Sequence, residues 1–362
     1  MFNKKKAQKD TQQPEKSLSV FRRRWRKFRT LKRGWYSFIL LCTFYAISLA
    51  SPLLINNEAL IVKHQGEYHF PVFSEFIAAK DLGQRKLGAP DYRDLEKQYE
   101  EAGEGDWVLM PPYPFGPIEN LLRDPELEDN PPHAPSSRHW MGTDNRARDV
   151  FARLVYGFRI SITFALGVVL LSYLIGMIVG GVLGFFGGRV DIYGQRFVEI
   201  WAGMPFLYTV IILAQFIPRT PTILALILAL FSWVGISYYM RGEYYREKAR
   251  DYVAAARAQG ESNMSILFKQ ILPNALTPII SFAPFAIVGA ITALVSLDFL
   301  GFGLPAPTPS WGELVNQGKD NIYNWHLIVA PLGALFVTLL MIVFIGEAIR
   351  EAFDPKVFSR LR

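Results

Sequence analysis

From Ile160 to Phe186 the chain reads ISITFALGVVLLSYLIGMIVGGVLGFF, 27 residues without a formal charge. A bilayer core about 30 Å thick is crossed by about 20 helical residues rising 1.5 Å each. The run is too long and too apolar for the core of a soluble domain, and it spans a bilayer with some tilt. Five further apolar blocks lie at 35–55, 198–217, 222–240, 279–298 and 326–346. The pattern predicts an all-α, polytopic membrane protein with six transmembrane helices. The third block carries Glu199 near its start and is interrupted by Pro205.

Charge gives the orientation. Of the 39 Lys and Arg residues, 13 fall in the first 33 positions, directly before the first block. In a soluble protein a net charge of +7 would suggest nucleic acid, but beside a span it is a positive-inside signature. The N-terminus is therefore expected in the cytoplasm, and six spans return the C-terminus there. Segment 241–274 holds six Lys and Arg and the tail from Arg350 holds four, whereas 218–221 and 303–325 hold one each, Arg219 and Lys319. Ser48-Leu-Ala50 loosely resembles a signal cleavage site, but the basic region is too long and the apolar run is span-length, so the segment reads as a retained anchor. Cys42, the single cysteine, lies inside that span, which excludes an intrachain disulfide and a cysteine metal site.

The expected organisation is a basic cytoplasmic segment 1–34, a first span 35–55, an extracytoplasmic insert 56–159, a membrane core 160–348 and a cytoplasmic tail 349–362. In the basic segment Phe21, Trp25 and Phe28, spaced 4 and 3 among arginines, predict a helix lying on the anionic inner leaflet, with lipid and not nucleic acid as its partner. Within the insert, 56–135 holds 16 acids against seven bases; Pro111-Pro112-Tyr113-Pro114 and Pro131-Pro132 favour extended chain, and Asp91–Ala102 reads as a short helix. Arg146, Arg148, Arg153 and Arg159 fall on the outer side against the charge rule, which long translocated loops escape.

The loop 241–274 contains GEYYREKARDYVAAARAQGESNMSILFKQILPN and reads as two short helices around Gly260. Tyr245, Ala249, Tyr252 and Ala256 share one face of the first. Ser262 or Asn263 caps the second, whose stripe is Met264, Leu267, Phe268 and Ile271, and Pro273 marks re-entry to the membrane. Such a helix–glycine–helix has the shape to sit in a partner's groove, although any amphipathic interfacial loop carries similar stripes.

Enzyme signatures are missing. The closest phosphate-loop match, Gly312 to Gly318-Lys319-Asp320, has five residues between its glycines where four are needed, and aspartate where Ser or Thr must hold magnesium. His64, His69, His133, His139 and His326 read as exposed polar residues on the outer side, not as metal ligands. Asp298, near the outer end of the fifth block, is a candidate for pathway lining or for helix-end packing. Pro205 and Pro284 either break helices where a pathway is lined or introduce simple kinks.

The particular loop residues carry a resemblance. Ala255-Ala256, then Gly260, then Pro273 thirteen positions later resemble the EAA loop of binding-protein-dependent ABC importer permeases. Ala254 stands where that family usually has glutamate and Gln270 where many members have isoleucine, so contact with an ATPase would rest on shape and on Arg250, Asp251 and Arg257. Met141-Gly-Thr-Asp-Asn-Arg-Ala-Arg-Asp149 with Arg153-Leu-Val-Tyr-Gly157, Leu300-Gly-Phe-Gly303 with Pro307-Thr-Pro-Ser-Trp-Gly312, and Gly346-Glu-Ala-Ile-Arg350 through Asp354-Pro355 resemble dipeptide and oligopeptide permeases of the second-subunit type. The long acidic insert is similar to the Yej-type permeases associated with oligopeptide and microcin C uptake.

The resemblance implies a type I importer core in a bacterial inner membrane, paired with a second permease subunit. It implies two ATP-binding cassette domains that hydrolyse ATP with Mg, a periplasmic peptide-binding protein, and no cofactor or catalysis on this chain. Two other readings stay open: an ion-driven secondary transporter, disfavoured by the uncharged centres of the second to fourth spans, and a membrane-anchored receptor or structural protein.

Overall fold

The computed structural model describes residues 20–73, 76–122, 124, 127 and 130–353, so expectations for 1–19, for the Phe21 side chain and for Asp354-Pro355 lie outside the described residues. In chain order the elements are α1 (Val20–Thr30), α2 (Lys32–Leu49), α3 (Ser51–Leu54), β1 (Ile61–His64), β2 (Glu67–His69), α4 (Tyr92–Ala102) and β3 (Trp107–Leu109). They are followed by α5 (Val150–Phe186), α6 (Gly188–Ala202), α7 (Phe206–Phe216), α8 (Pro221–Lys248), α9 (Asp251–Ala258), α10 (Asn263–Ser265), α11 (Leu272–Ile280), α12 (Ala283–Phe299), α13 (Trp311–Asp320) and α14 (His326–Phe353).

The architecture is mostly helical but not all-α. Among the described residues α5, α8 and α14 are long and apolar enough to cross a membrane, and α6 with α7, bent by 73°, makes a fourth if the pair is one span. The helix α12 is apolar but shorter. The expected third block is thus two helices: Pro205 occupies the N-cap of α7 instead of kinking a continuous helix. Pro284 likewise sits in the first turn of α12, after a break at Ser281-Phe282, where its missing N–H costs nothing. The core helix α5 starts at Val150, ten residues before the uncharged run, because Asp149 caps it by accepting from the Ala152 N–H at 2.8 Å.

The insert adds a three-stranded antiparallel sheet in the order β2-β1-β3, with Val62 opposite Val108. Alternation puts Val62 and Val108 on one face, where they pack with Leu82, Tyr92 and Leu95 into a small core. Asp91 caps α4 through the Asp94 N–H. A second cluster of Ile55, Tyr113, Phe115, Leu121, Ala152 and Tyr156 seats the insert on the first turns of α5.

The tightest packing in the bundle joins α5 to α8 along Gly176, Gly180 and Gly184, one turn apart on a single face. A Cβ at Gly176 would lie 2.0 Å from Ile236 Cγ2, at Gly180 2.2 Å from the Ser237 carbonyl oxygen, and at Gly184 2.6 Å from that of Arg241. Backbone-to-backbone approach of this kind is what small residues every fourth position allow in membrane helices. Gly180→Leu is expected to lower stability by about 3 kcal/mol, because the obstructing atom is backbone and cannot rotate away. Gly167→Ala and Gly235→Ala, where a Cβ meets nothing within 4 Å, serve as controls in the same helices. Heating each purified variant in detergent and following the folded fraction checks the contrast; a Gly180→Leu curve matching the controls would refute it.

Candidate functional site

The loop after α8 is three pieces, not two. The helix α8 ends at Lys248, Ala249-Arg250 turn the chain, and α9 follows. It ends in a Schellman arrangement: the Gly260 N–H donates to the Arg257 carbonyl at 3.0 Å and the Glu261 N–H to that of Ala256 at 3.1 Å. The intervening residue must be left-handed, and Gly260 has φ +77°. Ser262 then accepts from the Ser265 N–H at 3.3 Å, while the Glu261 carboxylate accepts from the Ser265 hydroxyl at 2.9 Å and the Gln270 amide at 3.0 Å. Ile266–Ile271 form a π-helical turn that runs into α11, with Pro273 exposed in its first turn.

These breaks reset the helical phase, which corrects both predicted stripes. Val253, Ala256, Ile266, Leu267 and Ile271 face inward against Phe185, Ile236, Met240 and Tyr244. Ala249 is exposed, and so are Met264 and Phe268, at 63% and 50%. The outward surface is therefore Ala254, Ala255, Arg257, Ala258, Gly260, Met264 and Phe268 together with the polar Gln259, Ser262, Asn263 and Lys269, with Arg250 and Asp251 exposed at the start of α9. Arg257 lies 5.9 Å from the Phe185 ring centroid, and the Arg250 guanidinium 3.8 Å from the Glu247 carboxylate.

The inner face is bolted to the long helices by polar contacts that periodicity could not show. The Tyr244 hydroxyl donates to the Leu267 carbonyl at 3.1 Å, and Lys248 donates to that of Phe185. Asp191 near the start of α6 accepts from Arg241 at 2.7 Å and from the Tyr245 hydroxyl at 2.5 Å. Tyr252 donates to Glu247 at 2.9 Å.

The opposite end of the bundle holds a buried charge network. Arg148 and Arg153 are 3% and 0% exposed, as are Asp144 and Asp149 at 0% each. Arg148 donates to Asp144 at 2.8 Å and, across 165 residues, to Glu313 of α13 at 3.0 Å; Arg153 donates to the other Glu313 oxygen. Ser310 and the Leu304 N–H each donate to Asp298 at 2.6 Å, so this carboxylate pins the 300–310 loop to the end of α12. His139 and His326, expected to be exposed, are each 2% exposed. His139 Nδ1 lies 2.8 Å from Asp149, and His326 Nε2 donates to the Thr143 carbonyl at 3.1 Å. Burial and the adjacent Asp149 carboxylate push the Tyr113 phenol well above its ordinary value, so it serves as a donor to Asp149.

Among the described residues no group of three or more His, Cys, Asp or Glu side chains is placed to hold a metal. The Gly312–Lys319 stretch is helix α13 and not a phosphate-cradling loop. The ends of α6 and α7 around Met204 face α8 and α12 across a cleft of about 360 Å³ lined by Trp201, Met204, Phe206, Phe231, Gly289 and Ala293.

Residues 155–359 match the family of binding-protein-dependent transport system inner membrane components, and the chain belongs to it. It is 38% identical over 335 residues to the inner membrane ABC transporter permease protein YejE of Escherichia coli K12, covering 92% of this chain and 96% of that one. It is 37% identical to the peptidoglycan transport system permease protein YejE of Agrobacterium fabrum, covering 92% and 93%. The dipeptide transport system permease protein DppC of Bacillus subtilis is 37% identical over 247 residues, 67% of this chain and 76% of that one.

Removing one carboxylate tests the network. Glu313→Gln leaves Arg148 and Arg153 short of charge compensation in a buried site, and breaking a buried pair from one side costs about 3 kcal/mol. A drop in melting temperature of the detergent-purified chain is the expected result, and an unchanged melting curve would contradict it.

Proposed function

We propose that this chain is one of two permease subunits of an ATP-driven importer, forming half of a translocation pathway for peptides. It spans the bacterial inner membrane six times with both termini in the cytoplasm, α2 and α12 supplying the spans that length alone does not define. A second permease completes the pathway, a periplasmic binding protein delivers substrate, and two cassette ATPases hydrolyse ATP with Mg below. This chain itself carries out no reaction.

One observation carries the reading: Ala254, Ala255, Gly260, Met264 and Phe268 place small and apolar groups on the outer surface, among the polar Arg257, Gln259, Ser262, Asn263 and Lys269, of a loop whose inner face is fixed to α5 and α8. Apolar side chains held outward on a rigid base suit a groove in a soluble partner, and movement of that partner is passed to the spans without loss in a soft hinge. Ala254 offers no carboxylate, so Arg250, Asp251 and Arg257 supply the charged contacts at the edge. Pro205 places the break between α6 and α7 beside the cleft, between its lining residues Met204 and Phe206, where unpaired backbone can line a pathway; Pro284 breaks the chain before α12 away from that lining. Asp298 acts by fixing the outer loop. The peptide substrate is favoured by relatives named for dipeptide and peptidoglycan transport, whose cargoes share a peptide chain.

Gly260→Leu tests the coupling. A Cβ there meets no atom within 4 Å, so the leucine is accommodated in space, but the left-handed backbone is strained and the side chain stands on the docking surface. Reconstituted with its ATPases, second permease and binding protein, the variant is expected to remain inserted and to lose oligopeptide uptake at least tenfold, by about 1.4 kcal/mol of docking or more. Normal uptake would remove the loop from the mechanism. Failure of ATPase subunits to co-purify with the wild-type chain would favour an ion-driven carrier or a receptor instead.

A further inference from the structure

The cations of α1 are sorted by direction. Arg24 lies 4.8 Å from the Phe353 ring centroid and Lys27 3.4 Å from Glu351, so these two face the end of α14. Phe28 is 3% exposed and packs with Trp35 and Phe38 against Ile345, Ala348 and Ala352. This corrects the expectation that Phe28 anchors the helix in lipid: its apolar side is taken by the protein's own helices. Arginines and Trp25 are exposed on the other side of α1. Arg22, Arg26 and Arg29, spaced 4 and 3 on one face, line an open groove of about 520 Å³ with Trp25 and Thr30.

Trp25 is 40% exposed at this groove, and the Arg29 guanidinium is held 5.1 Å from the Trp35 ring centroid, which fixes one wall. Directly after it, the first turns of α2 expose Tyr36, Ile39 and Leu40 at 64%, 43% and 44%. Guanidinium groups grip phosphate oxygens through paired N–H donors, tryptophan prefers the headgroup level, and α2, the next helix in the chain, exposes apolar side chains in its first turns.

We propose that this groove binds the phosphate of an anionic phospholipid, with Arg22, Arg26 and Arg29 as its donors and the acyl chains lying along Tyr36, Ile39 and Leu40. The lipid fastens α1 to the junction of α2 and α14. A free phosphate ion would satisfy the arginines equally, but it would leave Trp25 and the adjoining apolar face uncovered. The inference rests on α1 lying at the membrane surface and is independent of what the protein transports.

The test is a lipid titration of the purified full chain in detergent, followed by native mass spectrometry with phosphatidylglycerol and with phosphatidylcholine of the same chain length. Each cation near an anionic surface contributes about a fivefold preference, so R22Q/R26Q/R29Q is expected to weaken phosphatidylglycerol binding about a hundredfold and to leave phosphatidylcholine unchanged. K80Q/R85Q/K86Q removes the same charge from exposed positions of the insert and is expected to bind like the wild type. Should the triple variant unfold, Arg26→Gln alone carries the same expectation at about fivefold. Equal loss in both triple variants, no loss in the groove variant, or displacement of the lipid by millimolar inorganic phosphate would each overturn the proposal.

Discussion

Everything in the bundle hangs from the approach of α5 to α8. The seam at Gly176, Gly180 and Gly184 brings the two backbones together over about two turns, and both ends of the molecule are attached to it. The insert is seated on the start of α5 through Tyr113, Phe115 and Tyr156, and the loop is seated on the end of α8 through Tyr244. In an apolar solvent, hydrophobic burial does not drive helices together, so close van der Waals contact has to do so. A pair packed in this way moves as one body, and whatever displaces the loop acts on α5 as well as on α8.

The charges of the insert end serve a different purpose. Desolvating Arg148, Arg153, Asp144 and Glu313 costs about as much as their attraction returns, so this network is not a source of net stability. Its directional bonds instead determine where α13 lies relative to the first turn of α5. The exposed Arg196–Glu199 pair, at 73% and 42%, lies within one helix and lacks the burial to do the same.

How much of this could be read beforehand follows from the range of each interaction. The apolar blocks are local and mark the positions of α5, α8 and α14, but α5 starts ten residues earlier, α8 and α14 run eight and seven residues further, and the third block is the broken pair α6 and α7; the short helix read at Asp91–Ala102 is α4 to within a residue. The glycine seam was also present in the uncharged run, but a composition count treats Gly176, Gly180 and Gly184 as merely apolar; their four-residue spacing was the signal that could have found it. Arg148 and Arg153 looked like exceptions to a charge rule because their partner Glu313 lies 165 and 160 residues away. His326 escapes a sequence reading for the same reason, its partner Thr143 being 183 residues away, whereas His139 is buried on Asp149 only ten residues on, and no periodic pattern joins the two across the irregular chain between them. The strands of the insert are three and four residues long, too short for alternation to register. In the loop, the small residues and Gly260 were evident, yet the two phase breaks were not.

The second of those breaks has a consequence for how the loop can vary. A π-helical turn holds one more residue than the α-helical path it replaces, and one residue of α-helix corresponds to about 100° of rotation. The aim of Met264 and Phe268 away from the bundle is therefore set by the number of residues between Ser262 and Pro273 more than by their identity. Side chains on this surface can be exchanged to follow a changing partner while the direction they point stays constant, whereas gain or loss of a single residue would swing the whole face toward the core.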